Sequence, residues 1–485
     1  MSGVGWIVLY FAALLAIGVW AERRRARGAG GAVEYYLAGR GLAPVALFFA
    51  LFGTNCSPFV LMGIPGQSYH DGVGIFGLNA PILALGIPLT FWWLGVPARA
   101  MGARLGALSP AELVAKRLAS RAVGWALFAA FTLFTVPYMV TGLQGCGLAL
   151  ERWSQGALSA RAGAAVALGV ALAYTFLGGM RATAWTNVVQ GALFLVVVLA
   201  TLVALVAELG GPQAACARLA AERPDLAVLD RTRPRFEPRA FGSYGLAITL
   251  TVVCFPHMLV RLMAAGGTQA LRTSCRLYPL ALTLLWLPAV GIGVLGALEF
   301  PGLAGNASDG IFPRVVERAL GGERAVLGTL AVLAAAMSTL DAQLLTLGSM
   351  LSRDVLPRHA AGLGVERLFL LAVGAAAFLL YEAVERWQVS IFALAQLAFS
   401  GYVMLFPTIA LALLWRRFTA AGALASIVLG SASLAALTGG WLPSAGFLPV
   451  LPAFLVALAA AVGVSLASAP PPRAHVALAF EGAES

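Results

Sequence analysis

Charge is what this chain has least of. Asp, Glu, Lys and Arg together make up 11% of its 485 residues, and lysine occurs once, at Lys116. Soluble globular chains carry roughly a quarter, so a water-soluble fold is excluded. Acidic residues are scarcer than basic ones, 21 against 32, for a net charge of +11. The excess is arginine scattered through short segments between apolar runs. That pattern suits loops facing an anionic membrane leaflet and offers no basic block for nucleic acid. Cysteine is sparse too: Cys56, Cys146, Cys216, Cys254 and Cys275 show no paired spacing, which excludes a disulfide framework and a zinc site. Catalytic signatures are missing. No HExxH, GxSxG or P-loop pattern occurs, and His70, His257, His359 and His475 are scattered, so an enzyme has no footing here.

What is present is apolar. Hydrophobic residues reach 60% and the mean hydropathy is +0.88. The first apolar run, 4–20, is followed by the arginines of 22–27. A signal peptide has its charge first, so the run is expected to remain as a span with its N-terminus outside. Further runs fall at roughly 43–64, 77–97, 122–148, 163–179, 185–207, 241–264, 277–298, 325–351, 367–381, 389–414, 419–438 and 446–468, each near the length a membrane helix needs. The chain is therefore expected to be an all-α polytopic protein of the cell (inner) membrane with about 13 transmembrane helices and a cytoplasmic C-terminus. In that orientation 20 of the Arg and Lys residues fall inside and 12 outside, as the positive-inside rule asks. Six of the 12 crowd into the loop 209–240, which stands against it.

The stretch 51–66, LFGTNCSPFVLMGIPG, is wrong for a plain span. Pro58 removes a backbone donor and disfavours helix at Ser57, so carbonyls between Gly53 and Ser57 lose helical partners. Irregular backbone at membrane depth persists only inside protein or along a polar cavity. Two readings follow: a broken helix at a binding site, or a proline kink whose polar side chains bond a neighbour. The span 241–264 repeats the device, Cys254-Phe-Pro256 echoing Cys56-Ser-Pro58, and the alternation gives the two spans opposite directions. Interrupted helices at matching places in halves of opposite topology point to an inverted-repeat transporter. The expected division is 1–40, an extra span and loop; 41–208, the first five-helix repeat; 209–240, an external loop; 241–415, the second repeat; and 416–485, two spans and a short tail. Each repeat opens with a broken helix.

In the run 325–351, Ala335, Ser338 and Thr339 stand at i, i+3 and i+4 on one helical face. Two hydroxyls, a helix carbonyl and the unwound carbonyls of Gly53 and Cys56 would suit a sodium ion, a hard cation that takes oxygen ligands. The alternative is hydroxyls bonded only to their own helix. Asp341, one turn on, is a costly ionisable residue within a span and a functional candidate by default.

The chain resembles the sodium:solute symporter family. The resemblance rests on Glu34-Tyr-Tyr-Leu-Ala-Gly-Arg40, Leu61-Met-Gly-Ile-Pro-Gly66, the motif from Gly178 through Trp185-Thr-Asn187 to Gln190, Pro256-His257 with Arg261, and Met337-Ser-Thr-Leu-Asp-Ala-Gln343. It implies a leucine-transporter-type fold and sodium-driven import of a small organic solute (amino acid, organic acid or sugar-like) by alternating access. The implied sodium site falls on Gly53, Cys56, Ala335, Ser338 and Thr339. Many members carry aspartate where this chain has Asn55 and Asn187, so a cation loses electrostatic support here. Asn187 and Asp341 are thus the coupling candidates. The substrate is expected between the broken helices, near Asn55, Ser57, Phe59, Tyr138, Thr249, Thr251 and Gln396. A proton-coupled transporter of the same fold, or a transporter-like sensor with a separate partner, stays open beside this reading.

Overall fold

In the computed structural model of the chain, residues 3–26, 32–356 and 363–481 are described. Their regular structure is helical. α1 (Gly3–Ala26) and α2 (Ala32–Leu37) lead to α3 (Pro44–Asn55), a π-helical turn (Phe59–Gly63) and α4 (Ile64–Asp71). Then come α5 (Gly74–Arg104), α6 (Pro110–Arg117), α7 (Arg121–Trp153), α8 (Ala160–Glu208) and α9 (Pro212–Glu222). The second half holds α10 (Pro238–Cys254), α11 (Pro256–Met263), α12 (Thr268–Glu299), α13 (Ile311–Leu320), α14 (Val326–Met350) and α15 (Leu363–Arg386). It ends with α16 (Ile391–Val403), α17 (Phe406–Leu414), α18 (Ala420–Thr438), α19 (Val450–Ala467) and α20 (Arg473–Phe480).

Among the described residues, ten segments are long and apolar enough to cross a bilayer, or up to 12 when two bent pairs count as one span each. Ala160–Phe176, at the expected run 163–179, is a shorter apolar helix. Leu85, Leu89, Leu133, Val196, Val203, Leu368 and Leu379 are each more than 60% exposed. A soluble protein would aggregate through such surfaces; a lipid-facing wall requires them. α14 is the opposite case, with every residue of 328–350 buried. A helix with no lipid-facing side can hold Ser338, Thr339, Asp341 and Gln343 at membrane depth, because neighbouring helices supply their surroundings.

Local chemistry sets the boundaries. Ser120, Ser159, Ser390 and Thr419 cap the starts of α7, α8, α16 and α18 by accepting a first-turn N–H. The 49-residue α8 is bent at Gly179, whose φ is 61°. A Cβ there would sit 2.7 Å from the Tyr35 ring, so only glycine serves.

One expectation is refined and one revised. The run 389–414 is one candidate span, Ile391–Leu414, made of two helices, α16 and α17, interrupted before Pro407, where proline can start a helix but not continue one. The segment 209–240 is not simply a loop, for it contains α9. Four of its six arginines are matched by carboxylates: Arg218 by Glu222 and Glu299, Arg223 by Asp225, Arg233 by Asp71, Asp225 and Asp230, and Arg235 by Asp71. These pairs lower the net charge of the segment, but the positive-inside rule counts arginines and lysines rather than net charge, so the six arginines still stand against it.

Candidate functional site

α3 and the helix after it meet at 56°, and α10 and α11 meet at 53°. The first break can be followed bond by bond. In a continuous helix Thr54 O would accept from residue 58, but Pro58 has no N–H. Thr339 Oγ1 donates to it instead, at 3.0 Å. Gly53 O, which residue 57 would have served, accepts from Ser338 Oγ at 2.8 Å. Leu51 O accepts from Tyr278 at 3.2 Å, and Phe52 O from the N–H of Cys56 at 3.1 Å. The second break is satisfied locally, Val252 O accepting from the N–H of Phe255 at 3.3 Å. Among the described residues, only the first break therefore hands its carbonyls to side chains of another helix.

The same hydroxyls also reach back to Ala335 O, at 3.0 Å from Ser338 and 3.2 Å from Thr339. Gly53 O, Thr54 O, Ala335 O, Ser338 Oγ and Thr339 Oγ1 thus form one connected ring of five oxygens with no side-chain nitrogen in it. This donor set fits a hard monovalent cation, whose approach needs only that the two hydroxyl protons turn away. The ring brings together Gly53, Ala335, Ser338 and Thr339 as expected from sequence. It includes Thr54, which sequence reasoning passed over, and Cys56 O is not among the oxygens that Ser338 and Thr339 bond. Asn187 sits behind it, donating to Thr54 Oγ1 at 2.7 Å. A Cβ on Gly53 would lie 2.9 Å from Asn187 O, so glycine is what lets α3 and α8 close on each other.

Beside the ring, Asn55, Phe59, Tyr138 and Thr251 line a cavity with Cys56, Phe255, Trp286 and Phe399. Its volume is ≈ 20 Å³, about the room of one water. Ser57 stands one step out, its hydroxyl accepting from Tyr138 at 3.1 Å. Thr249 and Gln396 do not line this cavity. Thr249 lies against Gly86 of α5 and bonds Gly245 O, and half-buried Gln396 is turned to the outer side of α16. Both looked eligible because they are polar within spans, but helix rotation decides which way a polar residue looks. Trp286 was not foreseen; its Nε1–H is buried without an acceptor.

A sequence model of the sodium:solute symporter family matches residues 35–430. The chain belongs to the sodium:solute symporter family. The sodium/pantothenate symporter of Haemophilus influenzae is 26% identical over 461 residues, 94% of each chain. The osmoregulated proline transporter OpuE of Bacillus subtilis is 28% identical, covering 97% of this chain and 96% of its own. A substrate-bound, outward-open Na+-coupled sialic acid symporter aligns with a TM-score of 0.80 at 17% identity, over 97% of this chain and 99% of that one. That likeness shows the fold. The chain is a multi-pass membrane transporter that couples solute import to sodium, its co-transported ion.

In this symporter the cavity is shut at both ends. On one side Arg40 donates to three carbonyls: Met263 at 3.3 Å, Gly102 at 2.9 Å and Ala107 at 2.6 Å. Beside it Leu42 exchanges backbone bonds with Ala264 and Gly266, at 3.2 and 2.9 Å. On the other side Arg235 pairs with Asp71 at 2.8 Å and lies 4.7 Å over the Phe392 ring, which packs on Phe59 at 5.3 Å. Asp309 accepts from the N–H of Ile391 at 2.8 Å and presses on Gly66. Burial, with a smaller push from Glu385, holds its carboxyl up at about 7.

Of the two coupling candidates, Asn187 touches the ring and Asp341 faces elsewhere. Both Asp341 oxygens are buried without a hydrogen-bond partner, as are Nε and one terminal nitrogen of the buried Arg261. The charge of each acts on the other. His257 stacks on Phe255 at 5.2 Å and 16°, with neither ring nitrogen bonded, which is packing at the helix break rather than ligation.

Proposed function

We propose that this symporter imports a small carboxylate with an apolar body, one sodium per solute, by alternating access between the closed state described above and states open to either side. The observation that carries the reading is the handing of Gly53 O and Thr54 O to Ser338 and Thr339. Sodium then rests on Gly53, Thr54, Ala335, Ser338 and Thr339, with Cys56 O as the further ligand the sequence suggests. The solute sits among Asn55, Phe59, Tyr138, Thr251 and Trp286. That lining holds no charged side chain. A carboxylate would meet the unpaired Trp286 N–H, the Asn55 amide and the N-terminal ends of the half-helices. Relatives that carry pantothenate and proline, both carboxylates, favour the same class. Asn187 brings no charge for a second cation, hence the single sodium. The division at 41–208 and 241–415 into inverted repeats belongs to this proposal, as does a role without enzymatic chemistry.

Proteoliposome uptake of a panel of carboxylates, amino acids and neutral sugars, with and without a sodium gradient, tests it. Sodium-stimulated uptake of a carboxylate is expected, with a reversal potential giving one sodium per solute. Preference for a neutral sugar, or a ratio of two, would reject the corresponding half. Uptake that follows a pH gradient without sodium would point to proton coupling.

The orientation is part of the proposal, with the N-terminus outside and the C-terminus in the cytoplasm of the inner membrane. Cys216 on α9 is exposed and Cys275 on α12 half-buried. An impermeant thiol reagent on intact cells is expected to label a variant retaining only Cys216 and to spare one retaining only Cys275. The reverse pattern would invert the topology.

A further inference from the structure

At the end of the bundle that the proposed orientation places in the cytoplasm, α6, the start of α7, the π-helical turn after α14 (Leu351–Val355) and α20 enclose a cleft of ≈ 840 Å³. Lys116, Arg121, Arg353 and His475 line it, with Glu112 and Asp354 as its carboxylates. Glu112 is engaged with the protein through both oxygens and Asp354 through one, its other oxygen being buried without a partner. Glu112 accepts from the N–H of Leu108 at 2.7 Å and pairs with Lys116 at 2.9 Å. Arg353 stands 3.5 Å from the same carboxylate. Asp354 accepts from Ser109 at 2.7 Å. Lys116 is further bound to Leu105 O and Gly106 O, at 2.9 and 3.0 Å, and His475 to Lys116 O at 2.7 Å.

The arginines are the free charges. Glu112 is shared between two cations, so Arg353 is only partly balanced. Among the described residues no carboxylate pairs with Arg121, which stacks 5.5 Å over Trp125. Trp125 is 49% exposed and donates to Asp354 O at 3.0 Å, joining this stack to the cleft wall. A guanidinium is a planar fork of donors suited to phosphate oxygens, and an exposed tryptophan at a span's end marks the membrane–water border.

We propose that this cleft binds a phosphate-bearing anion between Arg121 and Arg353, at the level of the membrane surface that Trp125 marks. The anion comes from an anionic phospholipid headgroup or from free phosphate in solution; a basic pocket between helices on the cytoplasmic side suits either. Only the leaflet rests on the proposed orientation. Binding itself needs neither sodium nor solute.

The test is thermal unfolding of the purified full-length protein in detergent with added phosphatidylglycerol, phosphatidylcholine or inorganic phosphate. Wild type is compared with Arg121→Gln/Arg353→Gln and with Arg272→Gln. Arg272 also stacks on a tryptophan, Trp92 at 5.6 Å, but lies outside the cleft. Phosphatidylglycerol is expected to raise the wild-type midpoint by about 3 °C or more and phosphatidylcholine to leave it unchanged. The double variant loses the shift and Arg272→Gln keeps it. Stabilisation by inorganic phosphate alone, lost in the double variant, supports the site and names a soluble anion as its source. Equal shifts with both lipids, or a double variant that responds like wild type, overturn it. Because the readout is independent of uptake, failure of sodium-driven transport with the lipid shift intact would count against the proposed function alone.

Discussion

Ser338→Ala combined with Thr339→Ala is expected to raise the sodium concentration for half-maximal uptake by at least about thirty-fold, a loss of roughly 2 kcal/mol, while folded protein accumulates normally. Each hydroxyl now bridges α14 to α3 and also bonds Ala335 O. Hydrogen bonds between membrane helices average about 0.6 kcal/mol, so their removal alone leaves the bundle standing. Bonds to a charged group are worth about 1.5–3 kcal/mol each, so removing two oxygens from a cation falls chiefly on sodium binding. The readouts are a sodium titration of uptake and the thermal stabilisation that sodium gives the purified protein. Thr201→Ala is the control, because that buried hydroxyl bonds only Val197 O of its own helix. Unchanged sodium dependence in the double variant, or wild-type uptake driven equally well by a pH gradient in sodium-free buffer, would remove the ring from the mechanism.

How much of this could be read from the sequence depended on whether the cause was local. Pro58 and Pro256 each delete a donor at a known place, so both breaks were visible before any coordinates. The i, i+3, i+4 spacing of Ala335, Ser338 and Thr339 sets one face of a helix whatever that helix packs against. Thr54 was missed because the carbonyls chosen at the break were those of Gly53 and Cys56. Counting four residues back from Pro58 would have found it. Trp286 and Phe399 lie in apolar runs, where an aromatic that lines a cavity and one that faces lipid look alike. Thr249 and Gln396 failed in the opposite sense: polarity inside a span marks a residue as buried by protein without saying by which helix. The burial of Arg261 beside Asp341 is also tertiary, since 80 positions and two helices, α12 and α13, separate them.

Asp341→Asn alone is expected to lower the yield of folded protein by an order of magnitude or more. Asp341→Asn with Arg261→Gln is expected to recover most of it, with the sodium concentration for half-maximal uptake within about threefold of wild type, under roughly 0.7 kcal/mol. Arg261 is fully buried, with one amino group donating to His257 O at 2.9 Å and two other nitrogens unbonded. Asp341 is fully buried on α14, the charge of each acts on the other, and the two make no direct ion pair. Removing one member of a buried pair costs about 3–5 kcal/mol, because the other charge is left uncompensated; replacing both is far milder. The single and the double variant therefore separate two roles. As a charge partner, Asp341 matters only while Arg261 is present. As a carrier of the coupled cation, it is missed in both variants, and the well-folded double variant would show altered sodium or pH dependence. Since neither Asp341 oxygen bonds any of the five ring oxygens, the first outcome is expected. A single variant that is as abundant and as stable as wild type would show instead that Arg261 has another counter-charge.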